Sequence, residues 1–248
     1  RGLCPKTDDG CSERAEIWER KNVLLPYGAP VWYAFSMKLA KPVPRDRHRY
    51  LMAQWKRQIL PGATTPFSPF LALRLNKGKL VFTVDTDRVP VKPLTGRRKD
   101  GCLAGETLVL DRPDDKQTRA LIARQRDMAP FEWRYYNGCT TAIRVERFND
   151  GLPSADSGWI DFVVFIRTGP RGNGKVMIFA NGEHVVTVRG HIGHQGAGLG
   201  ASQYFKFGPY RKGKPGLWTV LYDRFRRGPA CEGVGTKELC RKTAASLK

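Results

Sequence analysis

One stretch near the C-terminus combines side chains that could transfer protons and bind an anion. Residues 203–211 read Gln-Tyr-Phe-Lys-Phe-Gly-Pro-Tyr-Arg. In a β-strand, alternate side chains point to opposite faces. One face of this stretch then carries Tyr204, Lys206, Gly208 and Tyr210, and the other carries Phe205 and Phe207. The pattern predicts a strand with an apolar core face and a polar face that presents two phenols and an ammonium group.

Pro209 interrupts this strand, because proline has no N–H to donate to a β-ladder. We therefore expect an edge strand or a bulge at this position. A tyrosine has a pKa of about 10, which must fall before the side chain can act as a base near neutral pH. Cations such as Lys206 and Arg211 favour the ionised phenol of Tyr210. Aromatic strands are also common in ordinary sheets, so the stretch alone leaves a purely structural role open.

The chain is strongly basic. Its 248 residues include 43 Lys and Arg against 23 Asp and Glu, which gives a net charge of +20. This balance indicates a polyanionic partner: nucleic acid, an acidic membrane surface or an acidic polysaccharide. No apolar run approaches the roughly 20 residues of a membrane-spanning helix. No helix-turn-helix, zinc-finger, RNP or P-loop pattern is present either, although nucleic-acid binding stays open on charge alone.

Six cysteines indicate a disulfide framework. No Cys-x-x-Cys occurs, which disfavours a zinc or thioredoxin-like site. The placement predicts a local clip at each end of the chain, Cys4–Cys11 and Cys231–Cys240, and a third bond, Cys102–Cys139, in the middle of the chain. Three disulfides imply an exported protein, secreted or periplasmic. The alternative is six buried free thiols in a cytosolic protein.

Period-2 patterns with turn signals between them dominate the rest of the chain and predict strands. The clearest are residues 31–39, a hairpin over 70–85 with a Lys77-Gly78 turn, and a hairpin around Asn181-Gly182. Residues 90–139 fit least well. Within them 114–127 is acidic at its start and basic toward its end, which predicts a short helix in an excursion from the sheets. We read residues 190–202, rich in glycine, as a mobile loop.

Several ordered motifs resemble polysaccharide lyases of the heparin lyase I-like and glucuronan lyase group, which share their architecture with alginate lyases. These are Tyr-Phe-Lys-x-Gly-x-Tyr at 204–210, Leu-Tyr-Asp-x-x-Arg-Arg-Gly at 221–228, Trp-x-Asp-Phe-Val-Val at 159–164 and Gly-x-Val-x-Ile-x-x-Asn-Gly at 174–182. The resemblance covers roughly residues 14–228. It implies an all-β fold, a β-jelly-roll (concanavalin A-like) sandwich of two antiparallel sheets in one domain over 1–248.

The resemblance also implies a reaction, the β-elimination of a uronate-containing polysaccharide that is glucuronan-, heparin- or alginate-like. In this group the lysine and the second tyrosine of the first motif line the cleft, and the tyrosine is the catalytic acid, or acid and base together. These roles carry over to Lys206 and Tyr210. Arg14-Ala15-Glu16 resembles the Arg-x-Glu strand of the same cleft, which adds Arg14 to the catalytic residues and Glu16 to the substrate-binding ones.

One departure from the group concerns the base. Gln54-Trp55-Lys56 stands where these lyases often carry Gln-x-His, in which the glutamine neutralises the substrate carboxylate and the histidine is the base. Gln54 fits the pattern, but Lys56 replaces the histidine. Either the base is elsewhere, with His194 as a fallback, or Lys56 neutralises charge while a tyrosine transfers both protons. A third reading is a protein that binds an acidic polysaccharide or other polyanion without cleaving it.

Further residues are expected to contact substrate: Arg74, Tyr204, His194 and Arg211. A hydrolase on this fold needs two carboxylates at matched spacing, and the usual Glu-x-Asp-x-x-Glu is absent. We expect no cofactor and no metal ligands, since no dense acidic loop marks a calcium site, although the sequence leaves a calcium requirement possible. We expect an acidic polysaccharide as partner, no nucleic acid or membrane, and a monomer. The sequence does not identify the sugar.

Overall fold

The computed structural model describes residues 11–63, 65–94, 101–129, 136–213 and 216–247. Its elements in chain order are β1 (Ser12–Arg14), β2 (Ile17–Trp18), β3 (Leu25–Pro26), β4 (Val31–Leu39), β5 (Tyr50–Ile59), β6 (Leu71–Asn76), β7 (Lys79–Asp87), β8 (Lys92–Pro93), β9 (Thr107–Arg112), β10 (Gln117–Arg124), β11 (Gly138–Thr140), β12 (Ile143–Arg147), β13 (Ile160–Arg167), β14 (Gly169–Ala180), β15 (Glu183–Ile192), β16 (Leu199–Lys212), β17 (Val220–Gly228) and α1 (Lys237–Leu247). Short 3-10 turns lie at Lys21–Val23 and Cys231–Gly233.

The strands form two antiparallel sheets that pack face to face, which confirms the predicted β-jelly-roll sandwich. Within the described residues, the first sheet has the order β1-β16-β5-β6-β7-β10-β9-β11-β8, and β2 and β3 also pair with β16. The second sheet has the order β12-β15-β14-β13-β4-β17. The predicted hairpin turns are present, and Lys77-Gly78 and Asn181-Gly182 both have positive φ at each residue, as a type I′ turn requires.

Aromatic side chains fill the space between the sheets. Phe205 of β16 contacts Trp55 of β5, with ring centroids 4.6 Å apart, and Tyr33 of β4 at 5.1 Å. Phe35 and Phe162, both on the second sheet, lie 5.4 Å apart, and Phe35 also contacts Phe205 of the first sheet at 5.8 Å. All five rings are almost fully buried. The apolar face predicted for the 203–211 strand is therefore confirmed, and the opposite face of the same strand points out of the sandwich.

The helix predicted at 114–127 is wrong. Residues 113–116 form a turn, in which Lys116 has a φ of 53° and its N–H donates to the Pro113 carbonyl. The strand β10 follows, with Ala120 and Ile122 in the core. The acidic start and basic end suited a helix, but the period-2 burial decides the structure, because tertiary packing overrides propensity. The described parts of residues 90–139 are no excursion either, since β8 to β11 extend the first sheet.

The second sheet is covered on its outer face by the C-terminal segment. Val234 and Leu239 pack there on Trp32 and Phe165. Disulfides Cys231–Cys240 and Cys102–Cys139 are present as predicted. The predicted Cys4–Cys11 bond involves Cys4, which lies outside the described residues. No helix in the described part of the chain has the length and apolarity needed to cross a membrane.

Candidate active site

A bulge in β16 creates the site on the outer face of the first sheet, which we call the open face. The pairing of β16 with β5 shifts between Phe207 and Tyr210, so that the break predicted from Pro209 is confirmed as a bulge. Gly208 has a φ of +125°, and a Cβ there would lie 2.2 Å from the carbonyl oxygen of Ala15. Only glycine permits this approach. The backbone that links β1 to β2 therefore fills the space beside Gly208.

This close approach brings the Arg-x-Glu segment onto the motif strand. Glu16 lies between the two strands that carry the other predicted residues, and its Oε2 accepts a hydrogen bond from Lys206 Nζ at 2.9 Å. Its Oε1 accepts one from Gln54 Nε2 at 2.6 Å. The Cα atoms of Lys206 and Gln54 are also direct cross-strand partners. The carboxylate thus holds an ammonium group and an amide side by side. Both side chains of the Lys206–Glu16 ion pair are buried.

Tyr210 lies next to this cluster and between two guanidinium groups. The Cζ of Arg14 is 4.3 Å from the centroid of its ring, and the Cζ of Arg49 is 4.8 Å from it. Burial raises the pKa of Tyr210. A hydrogen bond with Ser12 and the charges of Arg49 and Arg14 lower it by more than burial raises it, so the pKa is below the usual tyrosine value. Lys206 is more distant, with its Nζ 6.0 Å from the ring centroid. The pKa is therefore lowered as expected, but Arg14 and Arg49 cause the effect and not Lys206 or Arg211.

Lys56 and Tyr204 are direct cross-strand partners beyond the Gln54–Lys206 pair. Burial, followed by the charges of Lys206 and Arg14, lowers the pKa of Lys56 to about 8. Within the described residues no hydrogen-bond acceptor or ion-pair partner contacts the Lys56 side chain. Burial and the negative charge of Glu16 have the opposite effect on Tyr204 and raise its pKa. Of the two tyrosines on this strand, Tyr210 is therefore the better proton-transfer group.

Arg74 also lies on the open face, in the same cross-strand row as Tyr210. The row runs from Tyr210 to Leu51 and from Leu51 to Arg74. Arg74 Nε donates to Thr83 Oγ1 at 2.9 Å, and its side chain is almost fully buried. Burial and the nearby charge of Arg119 lower the pKa of Arg74.

Two predicted residues are not brought into this cluster. His194 is buried, with its ring 5.4 Å from that of Phe67 and its Nδ1 3.3 Å from Asp87 Oδ1. The loop that holds it is only residues 193–198, because β15 and β16 take the rest of the glycine-rich stretch. Arg211 follows Tyr210 and has the opposite orientation; its Nε donates to Glu13 at 2.5 Å.

The structure adds residues that the sequence did not indicate. Arg49 reaches Tyr210 from a basic loop, and only the loop's composition hinted at a role. Trp18 stacks on Tyr204 with a centroid distance of 5.9 Å, and Lys206 Nζ lies 4.7 Å from its ring centroid. Trp18 is about half exposed. An exposed ring beside a polar cluster is a suitable surface for a sugar, and position 18 continues the alternation of positions 14 and 16 on this face.

No metal centre is indicated at this cluster. In the part of the chain that the structure describes, one group of His, Cys, Asp and Glu is close enough to hold an ion: Cys102, Glu106 and Cys139. Its two cysteines are joined in a disulfide and offer no thiolate, which is the ligating form. The expectation that no cofactor is needed stays a prediction.

Comparisons with known proteins concern the fold and the family. The solved structure of an endo-β-1,4-glucuronan lyase from the fungus Trichoderma reesei is similar, with a TM-score of 0.60 and 13% identity over 94% of this chain and 80% of that chain. An alginate lyase from Pseudomonas aeruginosa is a weaker match, with a TM-score of 0.40 and 14% identity over 87% and 73%. No curated protein matches the sequence. A family model described as polysaccharide lyase matches residues 3–226. Because this match spans most of the sequence, the chain belongs to the polysaccharide lyase family.

Proposed function

We propose that the protein is an endo-acting lyase that cleaves a uronate-containing polysaccharide by β-elimination. The observation that carries the proposal is the position of Tyr210, between Arg14 and Arg49 and beside the Gln54–Glu16–Lys206 cluster. The phenol, the amide and the cations lie on one face of one sheet, where a polymer can cross the strands. The membership of the chain in a lyase family supports this reaction class.

The first requirement of the reaction is neutralisation of the substrate carboxylate. The hydrogen at C5 of a uronate is too weakly acidic for a side chain to remove unless the adjacent carboxylate is stabilised as its charge develops. Gln54, Lys206 and Arg14 are the donors for this task. Glu16 positions Gln54 and Lys206 and balances the charge of Lys206, so the net positive charge that faces the substrate comes chiefly from the arginine.

Proton transfer then needs a base and an acid. The base removes the C5 proton, the electron pair forms a C4–C5 double bond, and the C4–oxygen bond breaks while the acid protonates the leaving oxygen. We assign the acid to Tyr210. We assign the base to Lys56, which takes the position of the family's histidine. Support comes from its pKa of about 8, which leaves a usable fraction of neutral amine at mildly alkaline pH, and from the lack of a bonded partner among the described residues.

Export fits this function. Two disulfides in the described residues suit an oxidising compartment. We propose a secreted or periplasmic protein that acts as a monomer.

The experiment that tests the function follows the chemistry of the product. A panel of acidic polysaccharides is incubated with the protein, and the ultraviolet absorbance of the conjugated C4–C5 double bond is recorded together with reducing ends. We expect both to rise for at least one polyuronate, with a rapid fall in viscosity that marks endo cleavage. Reducing ends without the absorbance indicate hydrolysis and contradict elimination. Binding without either signal supports the non-catalytic alternative.

A further inference from the structure

A second cationic feature lies beside Tyr210 on the open face. It is a pocket of about 210 Å³, and the polar side chains that line it include Arg47, His48, Arg49, Arg74, Asn76 and Arg119. None of its lining residues is Asp or Glu. Arg49 belongs both to this pocket and to the surroundings of the Tyr210 ring, so the pocket is continuous with the candidate active site.

Carboxylates near the pocket are used by only some of its cations. Asp46 accepts hydrogen bonds from His48 and from the Tyr50 hydroxyl. Asp85, which is completely buried, is bound by Arg119 through Nε at 2.9 Å and by Arg112 at 2.8 Å.

Three arginines remain without such a partner. In the ranges that the structure describes, Arg47, Arg49 and Arg74 form no ion pair. The pocket therefore carries an excess of positive charge that faces its opening.

Arg74 distinguishes this pocket from a group of exposed surface arginines, because its charged side chain is buried. Its side chain is only 7% exposed. Its one hydrogen bond within the described part of the chain runs from Nε to Thr83, which leaves both terminal nitrogens without a protein acceptor. Asp85 stabilises this guanidinium group through its charge, but among the described residues it accepts no hydrogen bond from it. A carboxylate in the pocket matches the fork of the guanidinium with two parallel hydrogen bonds.

The position of the pocket indicates which part of a substrate reaches it. Tyr210, Leu51 and Arg74 lie in one row across the adjacent strands β16, β5 and β6. Neighbouring strands are about 4.8 Å apart, which places the strand of Arg74 roughly 10 Å from that of Tyr210. A polymer that has one sugar at Tyr210 and crosses the strands brings a neighbouring sugar to Arg74.

We propose that this pocket is a subsite for the carboxylate of a uronate adjacent to the one that is cleaved, so that the substrate is a chain with consecutive uronates. This inference rests on the proposed function and narrows its substrate class. A chain that alternates uronate with a neutral sugar places no anion in the pocket and leaves Arg47 and Arg74 without a bound carboxylate.

The test measures binding, which separates it from the test of activity. The Tyr210→Phe protein serves as the background, because it retains the ring and lacks the hydroxyl. Arg47→Gln or Arg74→Gln is then introduced into this background. Calorimetry measures the affinity of each variant for a homopolymeric polyuronate and for a polymer that alternates uronate and neutral sugar. Arg144→Gln is the matched control, since Arg144 is exposed on the second sheet and has the same charge and size.

We expect each pocket variant to weaken polyuronate binding about tenfold, as for the loss of a charge-assisted hydrogen bond, and to change binding of the alternating polymer less than about twofold. Equal weakening for both polymers, or no difference from Arg144→Gln, overturns the proposal. Arg47 is exposed, so its variant keeps the test valid even where Arg74→Gln unfolds.

A sulphated alternating polymer tests whether the arginine pocket prefers a sulphate or a carboxylate group. Stronger Arg47-dependent binding of that polymer than of the polyuronate overturns the assignment to a carboxylate. Failure of the wild-type protein to cleave any polyuronate contradicts the proposed function alone, because the binding result is obtained without cleavage.

Discussion

The outer face of the second sheet is apolar and covered, whereas the open face of the first sheet is polar and accessible. Trp32, Phe165 and Met177 on the second sheet pack against Val234 and Leu239 of the C-terminal segment. The matching layer of the first sheet contains Gln54, Arg74, Asp85 and Lys206, all buried polar groups. The two sheets share one core, so their outer faces differ by sequence choice and not by architecture.

This difference indicates that the covered face of the second sheet contributes mainly to stability and the open face of the first sheet mainly to function. An apolar outer face gains free energy when a helix covers it. Buried charges gain little even when paired, because desolvation offsets their attraction. The open face therefore contributes little net stability for its size. Groups that have no carboxylate partner among the described residues, such as Arg14 and Lys56, are available to a ligand. Substitutions on the two faces should affect different properties.

The largest effect is expected from Tyr210→Phe on the open face. Removal of the hydroxyl alone should lower the elimination rate about 10²–10⁴-fold, the usual contribution of a general acid. The melting temperature should stay unchanged within about 2 °C, because a half-buried hydroxyl contributes little to folding. Initial rates of double-bond formation and a thermal scan measure both. Full activity in this variant would contradict the assignment and point to Tyr204 as the acid.

The converse effect is expected where the second sheet is covered. Replacement of Cys231 and Cys240 by Ser opens a disulfide with a sequence separation of 9 residues. Loop closure predicts a loss of about 3 kcal/mol in the free energy of unfolding. Denaturant titration measures the loss, and kcat/KM of the folded protein should not change. The pair Cys102 and Cys139, with a separation of 37, is the control and should lose about 4 kcal/mol. A fall in kcat/KM would show that the two faces are coupled.

The parts of the fold that the sequence predicted are those where burial follows a local period. The hairpins and the motif strand have apolar residues at every second position, and this period decides which face is buried. The strand β10 was missed because its charges imitate those of a helix. Its hairpin partner β9 is local, but its other partner, β7, pairs with it from residues 81–87. Pairing between distant segments leaves no local signal.

The candidate site was predictable to the same extent. Lys206, Tyr210 and Gln54 lie on strands whose faces the sequence fixes, and they are close together in the structure. Arg49 could not be assigned, because its contact depends on how a loop folds over a neighbouring strand. The burial of His194 could not be foreseen either, since it depends on Asp87 and Phe67 from other parts of the chain.

The smallest expected effect is a shift in the pH profile when Lys56 is replaced. It tests whether the open face supplies the base. A base acts in its deprotonated form, so kcat/KM should rise with pH and level off above the pKa of the group. For Lys56 that pKa is about 8. Lys56→His introduces a side chain with a usual pKa of about 6.5, which burial lowers further. The rising limb of the profile should therefore shift by at least about 1.5 pH units to lower pH.

Lys56→Ala is the control for this shift and should remove the limb along with most of the activity. If Lys56 acts instead as a cation that neutralises substrate charge, its protonated form is the active one. The rate then falls as pH rises through about 8, and Lys56→His has little activity at neutral pH because its imidazole is uncharged there. A rising limb that stays in place in Lys56→His would show that the base is another group and would leave Tyr210 to transfer both protons.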